Sequence, residues 1–297
     1  MTNTNVANFF WVGNISIYEK LSIKSFIDNG FNVNLWTYQD SLKNKRDLVG
    51  MDINICDASN ILEKDLMHKF SQGKQKSNPA SFANLFRLEL LKKEGGWWFD
   101  LDCICLKDVS EFENLASTKE YIIGCEYENY VGNSVLYFRD NKLLEDLIKE
   151  VYKEIDKNNF NFYWGQIGPD LISNFLLKKN LINEAVDQKY FYDISAKEFD
   201  MLLKVRGEFR EVQAYFDNDA LVCHLWNEMF KKHIYNKNYL PPKNSLLDKF
   251  FERHMANQLE DKKRYSRMIM LRFLPLFSKF YKIIYRLKIL IKNNKNS

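Results

Sequence analysis

Gly95-Gly96-Trp97-Trp98-Phe99-Asp100-Leu101-Asp102 is the stretch that decides how this chain is read. Three bulky aromatics in succession predict a buried strand, and that strand runs straight into two carboxylates. Burying a carboxylate costs several kcal/mol unless it is paired, so the acidic pair predicts a site rather than more core. In extended backbone, residues i and i+2 point the same way, and Asp100 and Asp102 are therefore expected to face one point in space. Hard oxygen ligands at that spacing suit Mg2+ or Mn2+ that also holds a diphosphate. A bare Asp-x-Asp is more often a solvated strand cap. The Gly-Gly lead-in and the aromatic strand move the reading toward function.

Outward from this stretch, strand and helix patterns alternate. Asn78 to Glu94 predicts a helix that ends at Gly95-Gly96, where glycine serves as a C-cap. Ala7 to Val12 predicts a first buried strand before Gly13. Ser16 caps a helix through Asn29, with Glu19 at the capping-box position, and Gly30 ends it. Phe31 to Trp36 alternates apolar and polar residues as a half-buried strand does. Downstream, Cys103–Leu106, Tyr121–Cys125, Ser134–Phe138 and Leu221–Cys223 read as strands, and Leu143–Ile155 as an amphipathic helix. Short connections between alternating elements predict an α/β domain. After Gly168-Pro169 the pattern turns mostly helical. The expected plan is a nucleotide-binding α/β core over residues 1–240 with a helical C-terminal region over 241–297.

The run Ser81-Phe82-Ala83-Asn84-Leu85-Phe86-Arg87, then Leu90-Leu91, Gly95-Gly96 and Asp100-Leu101-Asp102, resembles the sugar-binding-region glycosyltransferases with a DxD motif. That group includes α-1,4-glycosyltransferases, capsule and O-antigen enzymes and large clostridial toxins. Phe10-Trp11-Val12-Gly13, with Ser25-Phe26, Gly30, Val33 and Leu35-Trp36, is similar to the opening of the family. Gly168-Pro169 and His224-Leu225-Trp226-Asn227 are similar to the carboxy-terminal signature of the α-1,4 enzymes. The three parts span about Phe9 to Phe230 in the family's order.

The resemblance implies a GT-A fold, Rossmann-like and nucleotide-sugar-binding, with a UDP-sugar donor, Mn2+ or Mg2+, and retention at the anomeric carbon. It implies that Asp100, Asp102 and His224 hold the metal. It places the donor against Phe10, Trp11, Gly13, Asn84, Arg87, Asp100, Asn133, Trp226 and Asn227. Asp170 and Gln166 fall among the candidate catalytic groups with Asp100 and Asp102, and Glu126 is a further carboxylate for a double displacement. Asn84 stands where the family usually has Asp, and an amide cannot accept a hydrogen bond as a carboxylate does. Arg87, one helical turn on, shares a face with Asn84 and can balance the acidic pair or, as a bland alternative, make a surface salt bridge. Of the other histidines, His68, His233 and His254 read as surface residues. A haloacid-type phosphatase also places Asp-x-Asp after an apolar strand, but it leaves the Gly-Gly lead-in without a role.

Charge separates the chain into two parts. The formal net charge is +4, yet eleven of the 43 Lys and Arg lie between Lys262 and Ser297, where there is no Asp or Glu. The rest carries 32 basic against 39 acidic groups, a net −7, which argues against a general nucleic-acid binder. From Arg264 to Ile291 apolar residues recur at spacings of three and four among basic ones, an amphipathic pattern suited to an anionic membrane surface. A terminal helix packed on the acidic body is the alternative. Five scattered cysteines without a CxxC pair fit a reducing compartment. Residues 1–14 lack a basic n-region and an apolar run, so no secretory leader is expected. The expectation is a cytoplasmic enzyme held peripherally at the inner face of the plasma membrane, extending a saccharide or lipid-linked oligosaccharide. A toxin-like transferase acting on protein and a non-catalytic nucleotide-sugar-binding module remain as alternatives.

Overall fold

The Trp97–Phe99 strand lies inside a six-stranded sheet, with a parallel neighbour on one side and an antiparallel one on the other. The computed structural model describes residues 3–72, 75–76, 78–203, 215, 218–259, 262–266, 268–269 and 276. In chain order its main elements are β1 (Val6–Phe10), α1 (Ile17–Asp28), β2 (Asn32–Thr37), β3 (Ile53–Asp57), α2 (Lys64–Lys69), β4 (Ser71–Gln72), β5 (Gln75–Lys76), α3 (Pro79–Glu94), β6 (Trp97–Phe99) and β7 (Cys103–Cys105). They continue with α4 (Val109–Ser117), β8 (Tyr121–Tyr127), β9 (Tyr130–Phe138), α5 (Asn141–Asn158), α6 (Pro169–Lys178), β10 (Val222–His224), α7 (Asn227–Lys232) and α8 (Leu246–Met255). The large sheet runs β3-β2-β1-β6-β9-β8, parallel from β3 to β6 and antiparallel beyond. This is the α/β class that the alternating pattern predicts.

Local chemistry explains the elements around the decisive stretch. Asn78 caps α3 by accepting from the backbone N–H of Ala80 and Ser81, and Pro79 follows at the first helical position. Gly95 ends the helix at φ 68°, in the left-handed region that side chains disfavour. The turn is clamped by Asn8, whose side-chain amide donates to the carbonyls of Gly95 (3.2 Å) and Trp97 (3.1 Å). Asn8 is fully buried, and its own oxygen accepts from Trp36 Nε1 at 3.0 Å. On α1 the capping box is present: Glu19 Oε2 accepts from Ser16 N at 2.8 Å and Ser16 Oγ accepts from Tyr18 N at 3.2 Å.

The chain divides into two units. The first comprises Met1–Ile15, Ser22–Asp193 and Asp219–His224 and contains both the six-stranded sheet and the β7–β10 pair. Its core has an aromatic layer on each face of the sheet. Trp97 and Phe99 pack with Phe112 on one side, while Trp98 and Phe10 pack with Phe86 on the other. The second unit comprises Ser16–Leu21, Ile194–Asn218 and Leu225–Ser297, and its described elements are helical, with Tyr18 against Phe230 and Phe251. His254 is buried rather than on the surface, because helical periodicity puts it on the face of α8 that carries Phe250, Phe251 and Leu247. His233 is half-buried and stacks on Phe199 at 5.0 Å. Most of the amphipathic stretch from Arg264 to Ile291 lies outside the described residues. Among the described residues no helix is long and apolar enough to cross a membrane.

Candidate active site

Asp100 and Asp102 take different partners where β6 ends. Asp100 continues the ladder, its N–H donating to the Ser134 carbonyl at 2.7 Å. The chain then turns at Leu101-Asp102, closed by the Cys103 N–H to the Asp100 carbonyl at 3.0 Å. The extended geometry expected to point both carboxylates the same way is therefore broken by a turn. Asp100 accepts from Trp98 Nε1 at 2.8 Å and pairs with Arg87 Nη2 at 3.2 Å. Asp102 is buried and meets His224 Nε2 at 3.1 Å.

Two strands bring Asp102 and His224 together. β7 and β10 pair antiparallel with His224 opposite Cys103, so the last residue of β10 arrives beside the turn that carries Asp102. The ligand atoms of Asp102, Cys103 and His224 all lie within 4.8 Å of one another. A carboxylate and an imidazole form an oxygen and nitrogen donor set that fits a divalent cation such as Mn2+. Burial raises the Cys103 thiol well above its ordinary range, and the Asp102 and Asp100 carboxylates push it further. Burial also lifts Asp100, with the Arg87 charge opposing and the Asp102 charge adding. For His224, burial works against the imidazolium, but Asp102, with Asp100 and Glu126, outweighs it and raises the group. Burial raises Glu126 in turn, against the pull of His224.

The helix face of α3 supplies the second wall. Arg87 is 4% exposed, not a surface residue; its guanidinium lies over the Trp98 ring at 4.9 Å and also donates to the Asn133 carbonyl. Asn133 Nδ2 donates to Asn84 Oδ1 at 2.9 Å, so Asn84, Arg87 and Asn133 form one connected group. Gly168 closes on it: a Cβ there would come within 2.8 Å of Asn84 Nδ2 and 2.9 Å of Asn133 Nδ2, so only glycine permits this approach.

The remaining candidates are distributed as follows. Phe10 is buried with its ring 4.3 Å from Phe86. Trp11 Nε1 donates to the Asn14 carbonyl, and Gly13, at φ 105°, has open space where a Cβ would stand. Asp170 begins α6 and accepts from the Tyr130 hydroxyl at 2.7 Å. Gln166 accepts from the Tyr163 N–H at 3.1 Å. Trp226 and Asn227 belong to the second unit, where Trp226 Nε1 donates to the Ile194 carbonyl and Asn227 interacts with Glu19 and Lys237. One residue near the site has no sequence signal of its own: Tyr192, in an irregular stretch. Its buried hydroxyl joins Ser134 at 2.7 Å, its ring packs edge-on against His224, and its tip fills the space where a Gly132 Cβ would stand. The glycine at position 132 inside an apolar strand is the only hint of it.

Residues 17–122 match the family described as glycosyltransferase sugar-binding region containing DXD motif, and Asp100-Leu101-Asp102 is the one Asp-x-Asp triplet in that span. Over these residues the chain is similar to the DXD glycosyltransferase family. That family typically binds a divalent metal, and the Asp102–His224 pair offers donors for one. Among solved structures the chain is similar to the PaToxG glycosyltransferase, at 18% identity over 61% of this chain and 73% of that one, with a TM-score of 0.41. It is similar to apo mouse xyloside xylosyltransferase 1, at 14% identity over 74% of this chain and 96% of that one, with a TM-score of 0.47. It is also similar to the glycosyltransferase GlyE of Streptococcus pneumoniae TIGR4, at 14% identity over 77% of this chain and 57% of that one, with a TM-score of 0.39. No curated protein matches the sequence.

Proposed function

We propose that the chain is a retaining, metal-dependent glycosyltransferase that moves a hexose or N-acetylhexosamine from a UDP-sugar to a saccharide acceptor of a bacterial surface polysaccharide. The observation that carries this reading is the meeting of Asp102 and His224 at 3.1 Å on the DXD turn, with Asp100 held by Arg87 beside it. A divalent cation held there would supply positive charge against that developing on the departing diphosphate. Asp102 and His224 would hold it, and Asp100 completes the acidic wall. Arg87 pairs with Asp100 and opposes the upward push of burial on it, while Trp98 Nε1 donates to the same carboxylate. Asn84 and Asn133 offer amide groups to sugar hydroxyls, and Gly13 leaves room for a nucleotide to approach the backbone. Asp170, Gln166 and Glu126 are the side chains available to act near the anomeric carbon.

The catalytic domain is taken as residues 1–240, and the cationic amphipathic pattern of 264–291 supports attachment to an anionic membrane at its cytoplasmic face. The acceptor is then a saccharide or lipid-linked oligosaccharide. The test is a panel of nucleotide sugars incubated with the full chain and Mn2+, reading UDP release. The proposal expects release from one or a few UDP-sugars and its loss on adding a chelator. Release from none of the panel would overturn it.

A further inference from the structure

The sequence gives no reason for several large aromatics to stand in solvent, yet they gather in one place. Tyr127, Tyr163 and Trp164 are 55%, 60% and 61% exposed. Each belongs to the first unit; Tyr163 directly, and Tyr127 by way of Tyr130, converge on Asp170, and Trp164 follows Tyr163 in the chain. Tyr127 and Tyr130 stack in parallel across the β8–β9 hairpin, with centroids 4.4 Å apart and planes 6° apart. The Tyr130 hydroxyl donates to Asp170 at 2.7 Å, and the Tyr163 hydroxyl interacts with the same carboxylate. The turn bearing Tyr163 and Trp164 is held by the Gln166 side chain on the Tyr163 N–H and by the Asp170 N–H on the Gly165 carbonyl at 3.2 Å. These rings are therefore mounted on ordered backbone, which lowers the entropy lost when a ligand binds them.

Beside them opens a cleft of about 520 Å³ between α5 and α6, lined by Tyr163, Gln166, Asp170, Asn174 and charged groups of both helices. Its charges balance: Glu150, Glu154 and Asp170 face Lys157, Lys178 and Lys179. Glu150 is paired with Lys153, Glu154 with Lys157 and Lys179 with Asp146, which leaves little net field to select an ion. Flat apolar faces next to carboxylate and amide groups match a pyranose, which has apolar C–H faces and a rim of hydroxyls. The position fits as well. Gly168, two residues before Asp170, abuts the Asn84–Asn133 amides on the donor side.

We propose that the ring cluster of Tyr127, Tyr130, Tyr163 and Trp164 around Asp170 is a binding site for a neutral saccharide, which, if the transferase reading holds, is the acceptor. The site stacks a sugar ring on the exposed aromatics and fixes its hydroxyls with Asp170 and the cleft amides. Anionic sugars and phosphorylated ligands are disfavoured, because Asp170 and its neighbours offer them no excess positive charge.

The test applies the full chain to an array of neutral and anionic glycans, and the best neutral glycan is then titrated in solution. Trp164→Ala and Tyr163→Ala are expected to weaken that binding about tenfold, while Trp164→Phe restores most of it. Both alanine variants should unfold at the wild-type temperature, since the rings are exposed, and Val49→Ala on a remote exposed residue should bind as wild type. Retention of no glycan, retention confined to anionic glycans, or unchanged binding in both alanine variants would overturn the proposal. UDP-sugar hydrolysis by the wild type is read separately. Neutral-glycan binding that depends on Trp164, without hydrolysis of any nucleotide sugar, would sink the transferase reading and leave this site standing.

Discussion

Tyr137 lies on β9 opposite Trp97, with the two rings 4.8 Å apart, and its buried hydroxyl meets no hydrogen-bond partner among the described residues. A buried unsatisfied hydroxyl costs about 1–3 kcal/mol, so Tyr137→Phe is expected to be neutral or to stabilise by up to about 1 kcal/mol, read from the urea midpoint. At this scale the sequence shows which residues carry charge into the aromatic strand, but not where each one points. The i, i+2 rule places Asp100 and Asp102 together only while the chain stays extended, and the turn at Leu101 ends that condition. Arg87 could be placed on the face of Asn84 from helical spacing alone, and both do reach Asn133. Tyr192 could not be found, because its partners Ser134, Gly132 and His224 are distant in sequence and nothing periodic marks it.

Among elements, α3 carries Asn84 and Arg87 and ends at the glycine turn that launches β6, so its stability bears directly on the site. Asn78→Ala removes the cap on Ala80 and Ser81 and should cost about 1 kcal/mol, visible in the urea midpoint and in faster amide exchange through the first turn of α3. This helix, the Glu19 capping box and the strands β1, β2 and β6 were legible because each rests on local signals: caps, glycine stops and alternation. The β7–β10 pair was less so. Both strands are short apolar runs, and only tertiary pairing reveals that His224 stands opposite Cys103. The exposed aromatics of the 163–166 turn carry no periodic signal at all.

For the whole molecule, the division of charge needs one refinement. The start of the basic segment is part of the second unit: Leu240 and Arg264 bridge, and the Arg264 guanidinium pairs with Asp248, which is fully buried. Asp248 also accepts from the Asn244 N–H at 2.7 Å, so Arg264→Ala leaves it partly satisfied and should cost about 2–3 kcal/mol in thermal or urea unfolding. A chain ending after Ser266 keeps this pair. It is expected to lose most co-sedimentation with anionic vesicles while keeping UDP-sugar hydrolysis; loss of hydrolysis with unchanged sedimentation would place the tail in the catalytic fold instead. The central claim, that the DXD turn and His224 form a metal-dependent donor site, is tested most directly by UDP-sugar hydrolysis in Mn2+ for wild type and Asp102→Asn, with circular dichroism confirming that both fold. A loss of about 100-fold in the variant is the result predicted. A folded Asp102→Asn as active as wild type would contradict it.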